Sequence, residues 1–141
     1  MTLEPWLRQR VSTAEVARLA TVRPDGRPHL VPITFALEGD ELVTVVDQKP
    51  KSTSRLQRLR NVEANPAVSI LFDGYDEDWS RLWWARADGR ARIVVSGPEH
   101  GAAVGALTRR YRQYRHDPPR GPALLVAIGR WTTWSSSGGQ A

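Results

Sequence analysis

The fold is decided by residues 16–37, which read Val16-Ala-Arg-Leu-Ala-Thr-Val-Arg-Pro-Asp-Gly-Arg-Pro-His-Leu-Val-Pro-Ile-Thr-Phe-Ala-Leu37. Two apolar runs, Val16–Val22 and His29–Leu37, flank a short segment rich in turn-forming residues. Pro24 presets one backbone dihedral angle in this segment, and Gly26 allows a positive one. The stretch therefore predicts two antiparallel strands joined by a tight turn.

Further strand candidates follow this hairpin. The turn Glu38-Gly39-Asp40 leads into a third strand, Glu41–Val46, and two hairpins in series predict an antiparallel meander. Ala67–Phe72 is a nearly continuous apolar run, which predicts a fourth strand buried on both faces. The remaining candidates are Ser80–Ala87 with Ala91–Val95, as one bulged strand or as a hairpin around Asp88-Gly89, and finally Pro122–Trp134.

Helix signals complete the predicted architecture. Pro5–Arg10 is typical of a short amphipathic helix, with Ser12 or Thr13 as the cap of a further turn. Ser96–Glu99 carries start signals for a helix that continues over Ala102–Arg115. About six antiparallel strands with two or three helices predict a mainly β fold, an antiparallel barrel with helices packed on it. We expect one domain over residues 1–134 and a flexible tail over residues 135–141.

A basic segment, residues 48–61, lies between the third and fourth strands. Pro50 disfavours helix before it, and the hydroxyl residues of Ser52–Ser54 are good N-caps, so a helix is predicted to begin among them and to end near Asn65-Pro66. The spacing of its leucines and valine gives an apolar stripe along Leu56, Leu59 and Val62.

The start of this helix is a candidate anion site. Free backbone N–H groups, hydroxyls and cations together suit a phosphate. The candidate ligands are Lys51, Ser52, Arg55 and Arg58. A solvated basic helix fits the same spacing, so both interpretations remain open.

The composition narrows the class of partner. The chain has 141 residues, a formal net charge of +5, six tryptophans and no cysteine. A positive charge favours an anionic partner. With no nucleic-acid recognition motif and no apolar run near the length of a membrane span, that partner is predicted to be a small molecule. Without cysteine there are no disulfides, and the expected location is cytoplasmic.

Other chemical constellations are weak. The three histidines, His29, His100 and His116, have no metal-ligand spacing, so no metal site is predicted. Asp76-Glu77-Asp78 is interpreted as a solvated loop, or as a partner of arginines, rather than as an acid–base pair. No residue stands out as a general acid or base, which suits an enzyme that works by positioning.

Several motifs together resemble a known family. The hairpin of residues 19–35 and the helix-to-strand segment of residues 55–69 resemble the pyridoxamine 5'-phosphate oxidase-like split β-barrels. Tyr75-x-Glu77-Asp78-Trp79 and Leu82-Trp83-Trp84-x-Arg86 narrow the resemblance to a branch of probable F420-dependent enzymes within the flavin/deazaflavin oxidoreductases. The similarity extends from about Ala14 to Trp134.

The resemblance implies a homodimer with two cofactor sites at its interface. The implied cofactor is the deazaflavin coenzyme F420, whose phosphate and polyglutamate tail are anionic, and the alternative is FMN. The resemblance assigns Lys51, Ser52, Arg55 and Arg58 to the binding of the phosphate and tail. Arg58 stands where the family usually has a lysine. The resemblance assigns Pro32, Ile33, Thr34, Trp79 and Trp84 (or Trp83) to the ring, with the tryptophans coming from the partner subunit.

Three functions remain open at this point. The first is an F420-dependent oxidoreductase that reduces a planar unsaturated small molecule. The second is an FMN-dependent oxidase or reductase on the same fold. The third is a non-catalytic protein that binds a deazaflavin, a flavin or a tetrapyrrole. Packing of the tryptophans at a dimer interface without cofactor contact is the alternative to their role in ring binding.

Overall fold

A computed structural model describes residues 3–46 and 56–137 of the chain. Within these ranges the protein has four α-helices: α1 (Pro5–Thr13), α2 (Gln57–Ala64), α3 (Pro98–Arg110) and α4 (Arg112–His116). A single 3-10 turn, Trp79–Arg81, precedes the sixth strand. No helix in the described ranges is both long and apolar enough to cross a membrane.

Seven strands in the same ranges form one curled antiparallel sheet. They are β1 (Ala17–Val22), β2 (Pro28–Ile33), β3 (Ala36–Glu38), β4 (Glu41–Val45), β5 (Ala67–Gly74), β6 (Trp83–Val94) and β7 (Ala123–Ser135). Their order across the sheet is β2-β1-β5-β6-β7-β4-β3. The mainly β, antiparallel half-barrel architecture is confirmed, with one strand more than predicted.

The predicted meander is wrong, because His29–Leu37 does not run as one strand. The chain breaks at Thr34 and Phe35, and β2 and β3 lie at opposite edges of the sheet. Two hydrogen bonds hold the break: the Phe35 N–H donates to the Tyr111 hydroxyl (3.2 Å), and the Thr44 hydroxyl donates to the Thr34 carbonyl (2.7 Å). These groups lie far along the chain or in the next hairpin, so local patterning could not reveal them.

The burial of β5 differs from the prediction, and the structure of β6 decides between the two predicted alternatives. β5 alternates buried and exposed residues, so only one of its faces is buried, although its sequence is almost entirely apolar. β6 is one continuous strand, and its register against β7 shifts between Asp88 and Gly89. The bulged-strand alternative is therefore the right one, and the hairpin alternative is wrong.

The helix boundaries also differ from the predictions. α1 runs on to Thr13, so Ser12 and Thr13 lie inside it and cap no further turn. α2 begins at Gln57 after an extended Leu56, not among Ser52–Ser54, which lie outside the described residues. The predicted helix over Ala102–Arg115 divides at an extended Tyr111. The predicted stripe of α2 is confirmed, since Leu59 and Val62 are buried and Leu56 packs against the core.

β7 ends close to the predicted start of the C-terminal tail. Ser135 is the last residue of β7, and the Ser136 N–H donates to the Leu82 carbonyl (3.0 Å). β7 therefore ends one residue after Trp134, residues 138–141 lie outside the described part of the chain, and the flexible tail stays a prediction.

The core has two parts that β7 separates. The larger part fills the curled sheet, where Phe72 meets Phe35 edge-on (5.1 Å between ring centroids) and Trp131 at 5.8 Å. The smaller part lies between β4 and α3 and contains Leu107 and Leu125. Consecutive residues of β7 point alternately into the two parts, which explains why this strand is buried on both faces near its start.

Candidate functional site

The sheet has an outer face that points away from the larger core. Alternation along β1, β2, β5, β6 and β7 assigns its side chains, and three large apolar ones are exposed: Leu30 (67%), Leu71 (38%) and Trp134 (46%). The strand register places the others beside them: Arg18, Pro32, Ser69, Asp73, Trp84, Arg86, Asp88 and Thr132.

Four charged groups on the outer face form two ion pairs along the sheet. Arg18 lies 3.6 Å from Asp73, and Arg86 Nε lies 3.4 Å from Asp88 Oδ2. Arg86 also donates to the Thr132 hydroxyl at 3.3 Å. The pairs are long and partly exposed, so they hold the charges beside one another without removing their need for water. Arg90 and Arg130 also lie on this face and are exposed.

An aromatic cleft, defined here as the outer cleft, opens at one corner of this face. Its volume is about 360 Å³. Trp84 on β6 lies directly opposite Trp134 on β7, and the Arg86 guanidinium lies 5.9 Å from the centroid of the Trp84 ring. Leu71 and Tyr75 complete its walls. Flat apolar walls with one cation at the rim suit a planar conjugated ring.

A second feature, the cation cluster, lies at the β2 edge of the sheet and consists of Arg23, His29 and Arg58. The α2 side chain of Asn61 donates to Thr21 on β1 (2.9 Å), and Thr21 pairs with His29 on β2. Arg58 precedes Asn61 by about one helical turn, so the same contact brings Arg58 toward His29. No carboxylate in residues 3–46 and 56–137 pairs with Arg58, which is half-buried.

Electrostatics in the cation cluster favour an anion. Burial lowers the pKa of His29, and the positive charges of Arg23 and Arg58 lower it further. Burial also lowers the pKa of Arg58, although an arginine stays charged at neutral pH. His29 Nδ1 is buried and has no hydrogen-bond partner among the described residues. An anion placed here would compensate both guanidinium groups and offer an acceptor for a protonated His29.

This arrangement predicts a pH dependence for anion binding. A bound dianion should raise the pKa of His29, so binding should take up a proton and tighten as the pH falls from about 8 to 6, around the usual histidine pKa of about 6.5. Sulfate is a suitable probe because it remains a dianion over this range. We expect its thermal stabilisation of the protein to grow at lower pH in the native chain and to stay flat in His29→Gln.

Without an anion, His29 should make the folded protein less stable as the pH falls. The folded pKa of His29 lies below its unfolded value, so the unfolded chain binds more protons as the pH falls through that window. The free energy of unfolding should therefore drop below about pH 6.5 in the native chain, and less so in His29→Gln. A stability curve that His29→Gln leaves unchanged would contradict the lowered pKa.

The structure brings together some of the predicted site residues and separates others. Pro32 and Trp84 share the outer face, whereas the side chains of Ile33 (4% exposed) and Trp83 (7%) lie in the core. Thr34 is half-buried, and its hydroxyl lies 2.9 Å from that of Tyr114. Trp79 is 67% exposed on the 3-10 turn. Lys51, Ser52 and Arg55 lie outside the described residues.

Pro32 and Trp84 cannot contact the same part of a ring within one chain. They lie on β2 and β6, with β1 and β5 between them. Three strand intervals of about 4.8 Å separate them by roughly 14 Å along the sheet. Within one chain, Pro32 and Trp84 can therefore contact only different parts of a ligand.

A larger cleft, defined here as the α1 cleft, adjoins the outer cleft. Its volume is about 610 Å³, and it lies between α1, the segment joining β5 to β6, and the end of β7. The two clefts share Gly74, Tyr75, Leu82 and Trp83. Gly74 is needed here, because a Cβ at this position would lie 2.1 Å from the indole Nε1 of Trp83.

Several of these residues were missed by the sequence analysis. His29 was considered only as a metal ligand, and Trp134 only as the end of a strand. The available signal was the turn at Pro24–Gly26: pairing outward from it places Thr21 opposite His29. The facing of Trp84 and Trp134 depends on the β6–β7 register, which no local pattern carries. In the described part of the chain, no group of three or more acidic or histidine side chains is placed to hold a metal ion.

Comparison with known proteins identifies relatives of this fold. A family model described as "Pyridoxamine 5'-phosphate oxidase" matches residues 3–135. A solved structure described as an F420 reductase is 26% identical, with a TM-score of 0.70, and the match covers 93% of this chain and 98% of that one.

Two further solved structures share the fold at lower identity. A conserved hypothetical protein from Mycobacterium tuberculosis is 21% identical with a TM-score of 0.77, and the match covers 96% of this chain and 86% of that one. The heme storage protein HutZ from Vibrio cholerae is 18% identical with a TM-score of 0.73, and the match covers 96% and 95% of the two chains. The fold alone is therefore compatible with more than one kind of flat cofactor.

Proposed function

The chain belongs to the pyridoxamine 5'-phosphate oxidase family, and we propose that it is a homodimeric F420-dependent oxidoreductase. In this proposal it transfers hydride from the reduced deazaflavin to a planar unsaturated small molecule. The observation that carries the proposal is the cation cluster: Arg58 and Arg23 flank an unpartnered His29 at the sheet edge, with no carboxylate paired to Arg58 among the described residues.

The position of the cation cluster fits a cofactor with a flat head and an anionic end. His29 and Pro32 lie on the same edge strand, with the histidine facing inward and the proline facing the outer face. Three residues of strand span roughly 10 Å, and β2 is an edge strand, so a ligand could pass from the outer face around this edge to Arg58. A phosphate at Arg58 and a ring over Pro32 are therefore compatible.

The F420 assignment rests on three supports. The double-tryptophan motif at residues 82–86 resembles the F420-dependent branch, the net charge of +5 suits a polyanionic tail, and a similar solved structure is described as an F420 reductase. FMN has the phosphate but lacks the polyglutamate tail, so the excess of arginine favours F420 over FMN.

The homodimer completes the ring site. A second copy packed on the outer face would bring its Trp84 toward Pro32 of the first, and the exposed Leu30, Leu71 and Trp134 would be covered. Within each subunit, Arg18 lies beside Asp73 and Arg86 beside Asp88, so these charges would enter the interface in pairs and not singly. We therefore propose that each ring site is built from both subunits.

The chain's own contribution to the reaction is positioning. When bound, reduced F420 would supply a hydride to an electron-poor carbon and would release its ring N–H proton to water, while water would supply one proton to the neighbouring substrate atom, so the substrate gains two hydrogens overall. The protein holds the anionic end at Arg58, confines the ring between flat side chains, and excludes water from its face. No side chain of the described residues is required as an acid or base.

The proposal is tested by titrating purified protein with F420 and with FMN and following the fluorescence of each. We expect F420 to bind in the micromolar range, more tightly than FMN. Arg58→Ala should weaken F420 binding about 10- to 30-fold, equivalent to one charge-assisted hydrogen-bond partner of roughly 1.5–2 kcal/mol.

The matched control for this experiment lies on the same helix. Arg60 is exposed and follows Arg58 by two residues, which places it on a different face of α2. Arg60→Ala should bind F420 like the native chain. Tighter binding of FMN would favour the FMN-dependent enzyme, and binding of hemin with no F420 affinity would favour a tetrapyrrole-binding protein.

A further inference from the structure

The α1 cleft has a composition unlike that of the outer cleft. It contains two guanidinium groups, from Arg10 and Arg81, between the aromatic rings of Trp6, Tyr75 and Trp83. The outer cleft beside it is lined mainly by apolar and aromatic side chains. A cavity that combines flat rings with cations recognises a ligand with both a conjugated body and a negative charge.

Arg10 is the more informative of the two cations. It is half-buried, its guanidinium lies 5.9 Å from the centroid of the Trp6 ring, and no carboxylate within the described ranges pairs with it. Trp6 is itself held in place, since its indole N–H donates to Glu4 at 2.8 Å. A half-buried arginine that has an aromatic neighbour but no acidic partner is prepared to bind an anion.

Arg81 is held only loosely across the cleft. Its guanidinium lies 3.7 Å from Asp76, beyond normal hydrogen-bond distance, and both side chains are partly exposed. An exposed pair of this kind contributes little, so a ligand carboxylate can compete for Arg81 at small cost. With Asp76 included, these three charges leave the cleft with a net positive charge.

We propose that the α1 cleft binds a flat conjugated carboxylate, with Arg10 as its principal anchor. The proposal rests on the proposed function, because the α1 cleft shares Tyr75 and Trp83 with the outer cleft and so adjoins the place proposed for the ring. It names the class of molecule that is reduced: one whose conjugated system reaches toward the deazaflavin while its carboxylate is held at Arg10.

The test uses the cofactor-free protein, isothermal titration calorimetry, and the probe pair 2-naphthoate and 2-naphthamide, which have the same ring and nearly the same shape but differ in charge and in one oxygen replaced by NH2. We expect the carboxylate to bind 5- to 10-fold more tightly than the amide in the native chain. Arg10→Gln should remove this preference while keeping the affinity for the amide.

The control is Arg8→Gln on the same helix. Arg8 reaches away from the cleft to the Gly39 carbonyl (3.2 Å) and Asp40 (3.8 Å), so the preference for the carboxylate should survive its replacement. Arg81→Gln should give an intermediate loss. The proposal is overturned if the native chain shows no preference for the carboxylate, or if Arg10→Gln retains it.

Turnover separates this proposal from the proposed function. With reduced F420, the KM for a carboxylated enone should rise 5- to 10-fold in Arg10→Gln while kcat stays unchanged, since the lost contact is made equally in the ground and transition states. If the carboxylate preference holds but F420 neither binds nor supports reduction, the cleft stands as a ligand site and the proposed function fails. If the protein reduces the enone with F420 but Arg10→Gln changes neither the KM nor the carboxylate preference, the proposed function stands and the ligand site in the α1 cleft fails.

Discussion

Leu71→Arg is expected to convert the protein into a monomer that no longer binds F420. Leu71 lies on β5 on the outer face, where its neighbours across the strands are Arg18 and Arg86. A third arginine between these two would add like-charge repulsion and would place an unpaired ion in the proposed interface, once in each subunit. Because the side chain is 38% exposed and lies outside the core, the fold itself should remain intact.

The expected size of this effect is large. An unpaired charge buried in an interface costs several kcal/mol, so the dimer should dissociate at concentrations at least about 100-fold higher than the native dimer does. Sedimentation velocity measures the association, and circular dichroism checks the fold. Leu71→Met, which keeps the apolar contact and the volume, should remain a dimer. A Leu71→Arg protein that stays dimeric would place the interface on another surface.

F420 titration of the same two variants connects the interface to the cofactor. If the ring site requires Trp84 from the partner subunit, affinity should fall together with dimerisation in Leu71→Arg and be retained in Leu71→Met. A monomer that still binds F420 with native affinity would show that one chain is enough, and the distance of roughly 14 Å between Pro32 and Trp84 would then have to be spanned by the ligand alone.

The parts of this fold that depend on local chemistry could be predicted from the sequence. The hairpin around Pro24 and Gly26 and the start of α3 at Pro98 each follow from residues within a few positions of one another. The sequence left the continuity of β6 through Asp88-Gly89 open, and pairing with β7 decides it. Gly26 does have the positive φ, 91°, that its turn requires. In such places backbone preference and tertiary structure agree.

The parts that depend on distant contacts could not be predicted. His29–Leu37 has the pattern of one strand, yet Tyr111, far along the chain, binds the Phe35 N–H and helps to divide it. The same long-range packing exposes Leu71 on β5, where an apolar run implied burial on both faces. The proposed dimer would cover this side chain, and in that case the apolar run would be a signal of an interface as well as of core.

The candidate site shows the same division. Arg58 was predicted from its place in a family motif, and it now lies near His29, a residue that no motif singled out. Trp84 was predicted for its identity, but its partner Trp134 depends on the register of two strands. Motifs identify the side chains with distinctive chemistry, whereas their neighbours are determined by pairing across the sheet.

Gly89→Ala is expected to be among the most destabilising single-methyl additions in the chain. Gly89 lies at the register shift between β6 and β7, and a Cβ there would lie 2.3 Å from the backbone carbonyl oxygen of Ala127 and 3.1 Å from Val126 Cγ1. A backbone oxygen cannot rotate away as a side chain can, so β7 itself must move. We expect a loss of about 3 kcal/mol in the free energy of unfolding, the upper end of the range for overpacking.

The matched control is the same substitution on α3. A Cβ at Gly101 meets nothing within 4 Å, and alanine is the better helix former by up to about 1 kcal/mol, so Gly101→Ala should be neutral or slightly stabilising. Urea denaturation at one fixed protein concentration measures both variants, because the stability of the proposed dimer would depend on concentration. The bulge also sets the register that places Trp84 opposite Trp134. Gly89→Ala should therefore weaken F420 binding under conditions where the variant is still folded. A Gly89→Ala protein with native stability and native affinity would show that the bulge does not fix the geometry of the outer cleft.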